Sequence, residues 1–338
     1  MNFFLKVIKI FPPEAAHSIS LNSLNFLYKI NLLNIFFKKI SKDEIITFAN
    51  IKFKNRLGTA AGLDKNGDFI DCLGSLGFGF LEVGTVTPVS QQGNNKPRVH
   101  RNFKENSIIN SLGFNNKGVD YLVKNLKKRK YDGVVGVNIG ANKKSVGEKR
   151  IKDYLICLEK VHEHADYITI NISSPNTPNL RDLHKEDYLK ELIEKIDTKS
   201  KDLNISKPIF IKISPDENNE SVRNILKLIN DSSIAGIIAT NTSIDKSNLL
   251  QNNFKSIEGG VSGAPLMKMS TEKISYISSL SKSIPIIGVG GVISKQDFNA
   301  KVNAGAGLVQ IYTGFVIKGP KIIPVSYTHL TLPTTMLV

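Results

Sequence analysis

The chain has little of what marks redox staples, metal centres or membrane spans. Only two of its 338 residues are cysteine, Cys72 and Cys157. Both sit in apolar contexts at no metal-ligand spacing, which argues against a disulfide framework and predicts two buried thiols in a reducing compartment. The histidines His17, His100, His162, His164, His184 and His329 are dispersed. No His/Cys/Asp set has metal spacing, so no metal is expected. No uncharged run reaches the roughly 20 residues that span a bilayer. The apolar N-terminus is interrupted by Lys6 and Lys9 and ended by Pro12-Pro13, a poor match to a signal peptide. A Gly-x-Gly-x-x-Gly after the first strand would mark an open dinucleotide-binding sheet. Ala60-Ala-Gly-Leu-Asp-Lys65 stands there instead.

Acidic residues are also few: 30 Asp and Glu against 45 Lys and Arg, a formal charge of +15. That balance suits nucleic acid, an anionic membrane surface or anionic substrates. The lysines are scattered among Asn and Ile, and a composition bias accounts for them equally well.

Residues 1–45 stand apart. Phe3, Phe4, Leu5, Val7, Ile8, Ile10 and Phe11 form an apolar patch. Beyond Pro12-Pro13, Phe26, Ile30, Leu33 and Phe37 recur at three- and four-residue spacing near Lys29, Lys38, Lys39 and Lys42. Two amphipathic helices with basic flanks suit an anionic membrane surface; a helical hairpin packed on the main domain is the alternative.

Over residues 46–324 apolar strands alternate with helical stretches. The strand patterns are Arg56–Gly62, Gly79–Thr87, Val134–Gly140, Tyr167–Ser173, Pro208–Ser214, Gly236–Thr242, Pro285–Gly291 and Leu308–Gly314. Helical patterns such as Tyr154–His164, Tyr188–Lys199, Ser221–Asp231 and Thr271–Ser281 separate them. Strand–helix units in this number predict an α/β fold, a (β/α)₈ TIM barrel.

The strand exits carry the chemistry. Ile168, Ile170 and Ile172 recur at period two and run into Asn171, Ser173, Ser174, Asn176 and Thr177, with Pro175 and Pro178 stiffening the loop. Polar residues stand at the other exits too: Lys65, Thr85, Thr87, Asn138, Lys212, Asn241 and Thr242, then Gly290-Gly291 and Tyr312-Thr313-Gly314. Barrel active sites are built at these ends. The glycine clusters at 259–263, 288–291 and 313–315 suit a phosphorylated ligand, because glycine lets backbone N–H groups approach oxygens. Lys65 and Lys212 are costly to bury without an anion, and a salt bridge to a nearby Asp is the plain alternative for Lys212. Asn110, Asn138, Asn171, Asn176 and Asn241 would suit a flat polar heterocycle, although any one alone would serve as a turn or cap. Ser174 has no adjacent His, so as a base it would need a water-shielded site and a proton relay.

These motifs together resemble the quinone-dependent, membrane-associated class of dihydroorotate dehydrogenases. They are Ala60-Ala-Gly-Leu-Asp-Lys-Asn-Gly67, Glu82-Val-Gly-Thr-Val-Thr-Pro88, Asn110-Ser-Leu-Gly-Phe-Asn-Asn116, Val137-Asn-Ile-Gly140, Asn171-Ile-Ser-Ser-Pro-Asn-Thr-Pro178, Ile211-Lys-Ile-Ser-Pro215, Ala239-Thr-Asn-Thr242, Gly259-Gly-Val-Ser-Gly263, Gly288-Val-Gly-Gly291 and Gln310-Ile-Tyr-Thr-Gly314. The resemblance implies oxidation of dihydroorotate to orotate on FMN, with electrons passed to ubiquinone or menaquinone. It implies that Ser174 is the base at C5 while hydride leaves C6 for the flavin, with Phe114 and Thr177 shielding and relaying the proton. Lys65, Asn110, Ser111, Leu112, Gly113, Phe114, Asn171, Asn176, Asn241 and Thr242 match substrate positions. Ala60, Ala61, Gly62, Leu63, Asp64, Lys65, Thr85, Asn138, Asn171, Lys212, Thr240, Gly263, Gly291, Tyr312 and Thr313 match FMN positions. His17 and Arg101 match the lining of a quinone tunnel formed by the N-terminal segment. Ser111 stands where many members carry Arg, which leaves that contact to the backbone. The implied setting is a monomer, peripheral to the cytoplasmic face of a bacterial inner membrane, with no nucleic-acid partner. A tRNA dihydrouridine synthase-like flavoprotein is the enzyme alternative and would want a Cys on a barrel loop. A non-catalytic membrane-surface scaffold is the other. Beyond Pro324 the resemblance ends, and residues 325–338, with Ser326-Tyr-Thr-His-Leu-Thr-Leu-Pro-Thr-Thr335, are expected to be a non-native tail from adaptor read-through.

Overall fold

The computed structural model describes residues 8, 10–36, 45–176 and 186–326. Its strands in chain order are β1 (Ile46–Phe48), β2 (Ile51–Phe53), β3 (Leu57–Thr59), β4 (Phe80–Val86), β5 (Val99–Asn102), β6 (Ser107–Asn110), β7 (Val134–Ile139), β8 (Tyr167–Asn171), β9 (Ile209–Ile213), β10 (Gly236–Ala239), β11 (Gly260–Gly263), β12 (Ile286–Val289) and β13 (Leu308–Ile311). Eight of them close into a parallel barrel in the order β3-β4-β7-β8-β9-β10-β12-β13. Each is the core of one of the predicted stretches.

Period-two alternation sorts the barrel side chains into two layers. On β9, Ile209, Ile211 and Ile213 join the cluster between barrel and helices, while Phe210 turns into the barrel. On β8, Ile168 and Ile170 likewise face the helices, and Tyr167 faces inward. The isoleucines that betray β8 in the sequence are therefore its outer face. The helices return the complementary stripe. In the helix Asn219–Asn230, Val222, Ile225, Leu226 and Ile229 are buried at three- and four-residue spacing. Asn218 caps its start, accepting from Ser221 N at 2.8 Å.

The β1–β2 hairpin adds to the interior cluster at the barrel's N-terminal end. Phe53 stands edge-on to Phe80 at 5.3 Å and to Phe48 at 6.2 Å, and Phe48 stacks on Phe210 at 6.1 Å. At the opposite end β5, β6 and β11 form a three-stranded antiparallel sheet that the strand patterns miss. One of the glycine clusters lies in this sheet, residues 260–263 being β11, and its Ser262 and Gly263 reach the cavity described below. The cluster's glycines permit strand contact. A Cβ at Gly259 would lie 2.3 Å from Asn110 O, and one at Gly263 would lie 2.2 Å from Asn106 O.

The N-terminal segment has one long helix, α1 (Pro13–Lys29), followed by the short turn of helix Leu33–Phe36. The predicted recurrence of Phe26, Ile30, Leu33 and Phe37 is broken at residues 30–32, between these two helices, and Phe37 with Lys38, Lys39 and Lys42 lies outside the described residues. A bidentate Glu14–Arg98 pair, with Arg98 Nη2 2.8 Å from Glu14 Oε1, ties α1 to the chain just before β5. Leu21 and Leu33 pack into the main core. Exposed large apolar side chains concentrate in this segment: Ile10, Phe11, Ile19, Phe26 (62%), Ile30, Leu32 and Ile35 (73%). No helix among the described residues is long and apolar enough to cross a membrane. After β13 comes the six-residue helix Thr313–Lys318, then a 3₁₀ stretch, Gly319–Ser326, with Ile322 and Ile323 buried. The suspect tail lies almost wholly beyond the described residues.

Because the aromatic plug sits at the end away from the polar exits, stability and ligand binding should separate there. Phe53→Ala is expected to lower the unfolding free energy by about 3–5 kcal/mol in urea titrations and to leave ligand affinity of the folded protein unchanged.

Candidate active site

Above the aromatic layer the barrel interior turns polar around one carboxylate. Glu82, on β4, is buried and accepts from four donors: Asn138 Nδ2 at 2.9 Å, Tyr167 OH at 3.0 Å, Thr169 Oγ1 at 3.1 Å and Gln310 Nε2 at 2.7 Å. These belong to β7, β8 and β13. Since Asn138 spends its N–H₂ on the carboxylate, its Oδ1 must face the other way. There it accepts from Thr85 Oγ1 at 2.6 Å and Asn171 Nδ2 at 3.1 Å. Asn171 Oδ1 in turn accepts from Asn241 Nδ2 at 3.3 Å. One buried charge thus sets the orientation of a run of amides up to the barrel mouth.

A cavity opens at that mouth. Ser174 lines it just beyond β8, nearly buried, with Asn176 N donating to its Oγ at 3.3 Å. Phe114 faces it from the loop after β6, and a Cβ at Gly140 would stand 3.0 Å from its ring. Asn176 Nδ2 donates to Asn110 Oδ1 at 3.0 Å, and Asn94 Nδ2 reaches both Ser111 O (2.8 Å) and Asn176 O (3.2 Å). Asn94 therefore joins the Ser174 loop to the β6 loop, a role the exit pattern could not reveal because Asn94 follows no barrel strand.

Lys212, at the top of β9, also lines the cavity. Burial pushes its pKa below the ordinary lysine range and Glu82 opposes that shift. Among the described residues it forms no ion pair, so the salt-bridge alternative has no support. Lys65 reaches the cavity from the loop after β3. Burial holds it at about 8, with Glu14 and Asp64 pulling up and Arg98 pushing down. Next to β3 around the barrel stand Thr313 and Gly314 after β13, then Gly290 and Gly291 after β12. Ser262 Oγ and Thr313 Oγ1 lie 2.8 Å apart, joining β11 to this wall.

Ala60, Ala61, Gly62, Thr85, Asn110, Leu112, Gly113, Asn171, Asn241, Thr242, Thr240, Gly263 and Tyr312 all reach the same cavity. Leu63, Asp64, Ser111 and Asn138 do not line it. Asn138 stands behind Thr85 and Asn171. Asp64 turns away, its carboxylate accepting from Asp68 N (3.0 Å) and Phe69 N (2.8 Å), and burial raises it to about 6. Ser111 takes part through its backbone, N–H to Arg98 O at 2.9 Å. Thr177 lies outside the described residues. Gln310, Val292, Leu266 and Ser262 line the cavity without having been anticipated as site residues; of these, Gln310 and Ser262 stood in recognised motifs.

A second cavity lies between α1 and the barrel mouth. His17 and Arg101 share it, and it meets the first along Lys65, Leu112 and Tyr312. Burial, reinforced by Lys65, holds His17 at about 4 against a hydrogen bond with the Leu63 backbone, so its imidazole is neutral at ordinary pH. No group of three or more His, Cys, Asp or Glu among the described residues could hold a metal ion. Cys72 and Cys157 are buried within helices, away from both cavities.

The wider comparisons agree with the motifs. A family-wide sequence profile described as Dihydroorotate dehydrogenase matches residues 45–331. The "Dihydroorotate dehydrogenase (quinone)" of Saccharophagus degradans is 46% identical over 316 residues, covering 92% of this chain and 93% of that protein. The protein of the same name from Buchnera aphidicola is 46% identical over 323 residues, 94% of this chain and 96% of the other. The crystal structure of the Eimeria tenella DHODH in complex with ferulenol superposes with a TM-score of 0.85 at 32% identity, covering 93% of this chain and 89% of that one. On this similarity and on a closed barrel with its polar mouth, the chain belongs to the dihydroorotate dehydrogenase family.

Proposed function

We propose that the chain oxidises dihydroorotate to orotate, a step of pyrimidine biosynthesis, with FMN at the barrel mouth and a membrane quinone as electron acceptor. The observation that carries this reading is Lys212. It is a buried cation without an ion pair among the described residues, facing a cavity that Ser174 and four asparagines also line, with Asn171 its direct neighbour across β8 and β9. Leaving such a charge inside a barrel is costly unless a ligand supplies electron density beside it.

The residues present fit FMN. Glycines 290, 291 and 314 leave backbone N–H groups open to a phosphate, Ala60 to Gly62 offer a flat small-residue surface, and Lys212 stands ready for negative charge on a ring system. Bound there, FMN would supply the two-electron acceptance that no side chain of the protein has. The chain's own part is to bind, orient and move a proton. Lys65 neutralises the substrate carboxylate. Asn110, Asn171, Asn176, Asn241 and Thr242 present donors and acceptors to the ring's carbonyl and N–H groups. Ser174 Oγ takes the proton from C5. A serine hydroxyl is a weak base, so this requires a site from which water is excluded, and Phe114 provides an apolar cover. Thr177 would complete the relay.

The second cavity supports a quinone site, ubiquinone or menaquinone, with neutral His17 and cationic Arg101 on its wall. The apolar side chains exposed along residues 10–35 support peripheral attachment of the 1–45 segment to an anionic membrane surface at the cytoplasmic face of the inner membrane. Residues 46–324 are then the FMN-binding unit and 325–338 a non-native tail. The tRNA-modifying alternative would need a Cys at the cavity and finds none there among the described residues.

Ser174→Ala should retain flavin but slow its anaerobic bleaching by dihydroorotate by at least ~10²-fold at neutral pH; reduction at the wild-type rate would remove Ser174 from the role of base. Orotate binding should depend on pH through Lys65. Its pKa of about 8 in the free protein means that below pH 8 the ammonium is present and binding is strong. Above pH 8 binding must first take up a proton, so Kd should rise by up to about tenfold per pH unit. Titrations between pH 6.5 and 9 check this, and Lys65→Met should abolish the dependence. Phe26→Asp combined with Ile35→Asp should weaken co-sedimentation with anionic vesicles without changing orotate affinity.

A further inference from the structure

Lys301 lies in the helix Lys295–Asn303 that follows β12, and it is fully buried. Its ammonium donates to Met267 O at 3.3 Å, to Thr271 Oγ1 at 2.8 Å and, in a short contact, to Ser270 Oγ. All three acceptors are neutral, and Lys301 forms no ion pair among the described residues. Burial pushes its pKa down to about 7, opposed by Asp297. A buried cation with only neutral acceptors is an expensive way to hold two helices together, because a neutral side chain could make similar packing contacts.

The acceptors adjoin the cavity. Ser270 Oγ lies 3.1 Å from Gly290 O. The lysine donates to Ser270 Oγ, and the single hydroxyl proton has two carbonyls in reach, Gly290 O and, at 3.3 Å, Met267 O; Met267 O is already met by Thr271 Oγ1 at 2.7 Å and by the lysine, which leaves the proton to the nearer Gly290 O. The Gly290–Gly291 peptide is trans, so its C=O and N–H point in opposite directions. Anchoring Gly290 O toward Ser270 therefore turns the Gly291 N–H to the cavity side, and both glycines line the cavity. Gly291 has φ +83°, and a Cβ there would come within 2.4 Å of Met267 Cα, so loop and helix start are in direct contact. From Lys301 through the Ser270 hydroxyl to the 290–291 peptide, every dipole points its positive end at the cavity.

We propose that Lys301 is a positioning residue that, through Ser270 and the Gly290–Gly291 peptide, makes the site select a phosphorylated flavin over the same ring without phosphate. This rests on the flavin reading above, with the phosphate at the β12 and β13 exits. Lys301 touches no ligand itself. Its charge is felt by a dianion across one hydroxyl and one peptide, and a neutral ribityl hydroxyl at the same place gains little from it.

The test is the affinity of the flavin-stripped full chain for FMN and for riboflavin, followed by fluorescence quenching, in wild type, Lys301→Met and Ser270→Ala. Both variants should weaken FMN by about 10–100-fold, the range expected when a supporting contact behind a ligand-binding group is lost. Riboflavin should change by less than about threefold, within the effect of a minor contact. The ratio of the two affinities is a readout that a purely structural role would not move. Equal losses for both flavins, or unchanged FMN affinity in the variants, would overturn the proposal while leaving the flavin reading intact. Should Lys301→Met not fold, Ser270→Ala decides alone, since it retains the lysine. A wild-type chain that binds neither flavin would overturn both.

Discussion

The carboxylate of Glu82 is the constraint around which the barrel interior is arranged. A buried anion must be surrounded by donors, and four side chains from three further strands meet that demand. In meeting it they lose their freedom to flip. Asn138 can present only its oxygen upward, so Thr85 and Asn171 must donate to it, and Asn171 must offer its own oxygen to Asn241. Amides are ambiguous ligands because either end can face a substrate. Here the ambiguity is removed two layers below the cavity by a group that never touches it.

The same carboxylate influences charge at the mouth. Lys212 is buried and its proton is disfavoured by burial, while Glu82 favours it. Lys65 and Lys301 are further lysines held below their ordinary range by burial, at about 8 and about 7. They approach the cavity from the β3 loop, from β9 and from behind the β12 loop. An abundance of surface lysine says little about function. Buried lysines converging on one cavity amount to a local demand for anions, and a phosphate, a carboxylate and an electron-rich ring would meet it.

The interior also separates two tasks along the barrel axis. At the N-terminal end Phe48, Phe53, Phe80, Tyr167 and Phe210 pack edge-to-face and stacked, closing the barrel against solvent. At the other end β5, β6 and β11 build a small antiparallel sheet that carries Asn110, Ser262 and Gly263 to the cavity. Helix α1 then covers that sheet's flank through Glu14 and Arg98, creating the second cavity, which His17 and Arg101 both line. Barrel folds place stability and chemistry at opposite ends in this way.

Much of this was legible in the residues. Period-two isoleucines located β8 and β9, apolar stretches divided by helical patterns located the rest of the barrel, and polar residues at the strand ends marked which face would work. Those signals are local, arising from backbone geometry and the need to bury one side of each element. The sequence alone also placed Ser174, Lys65 and Lys212 at exits. It did not reveal the antiparallel sheet, since β5, β6 and β11 are only four residues long each and β11, flanked by glycines, pairs with β6 from far along the chain, Gly260 opposite Asn110. Nor could it show that Glu82 orients the amides, that Asn94 joins two loops, that Asp64 turns away from the cavity, or that Lys301 stands behind Gly290. Each of these depends on which strands become neighbours when the barrel closes, and on the low polarity of the interior that closure creates. Hydrogen-bond direction and buried charge have meaning only in that environment, and only the tertiary structure makes it.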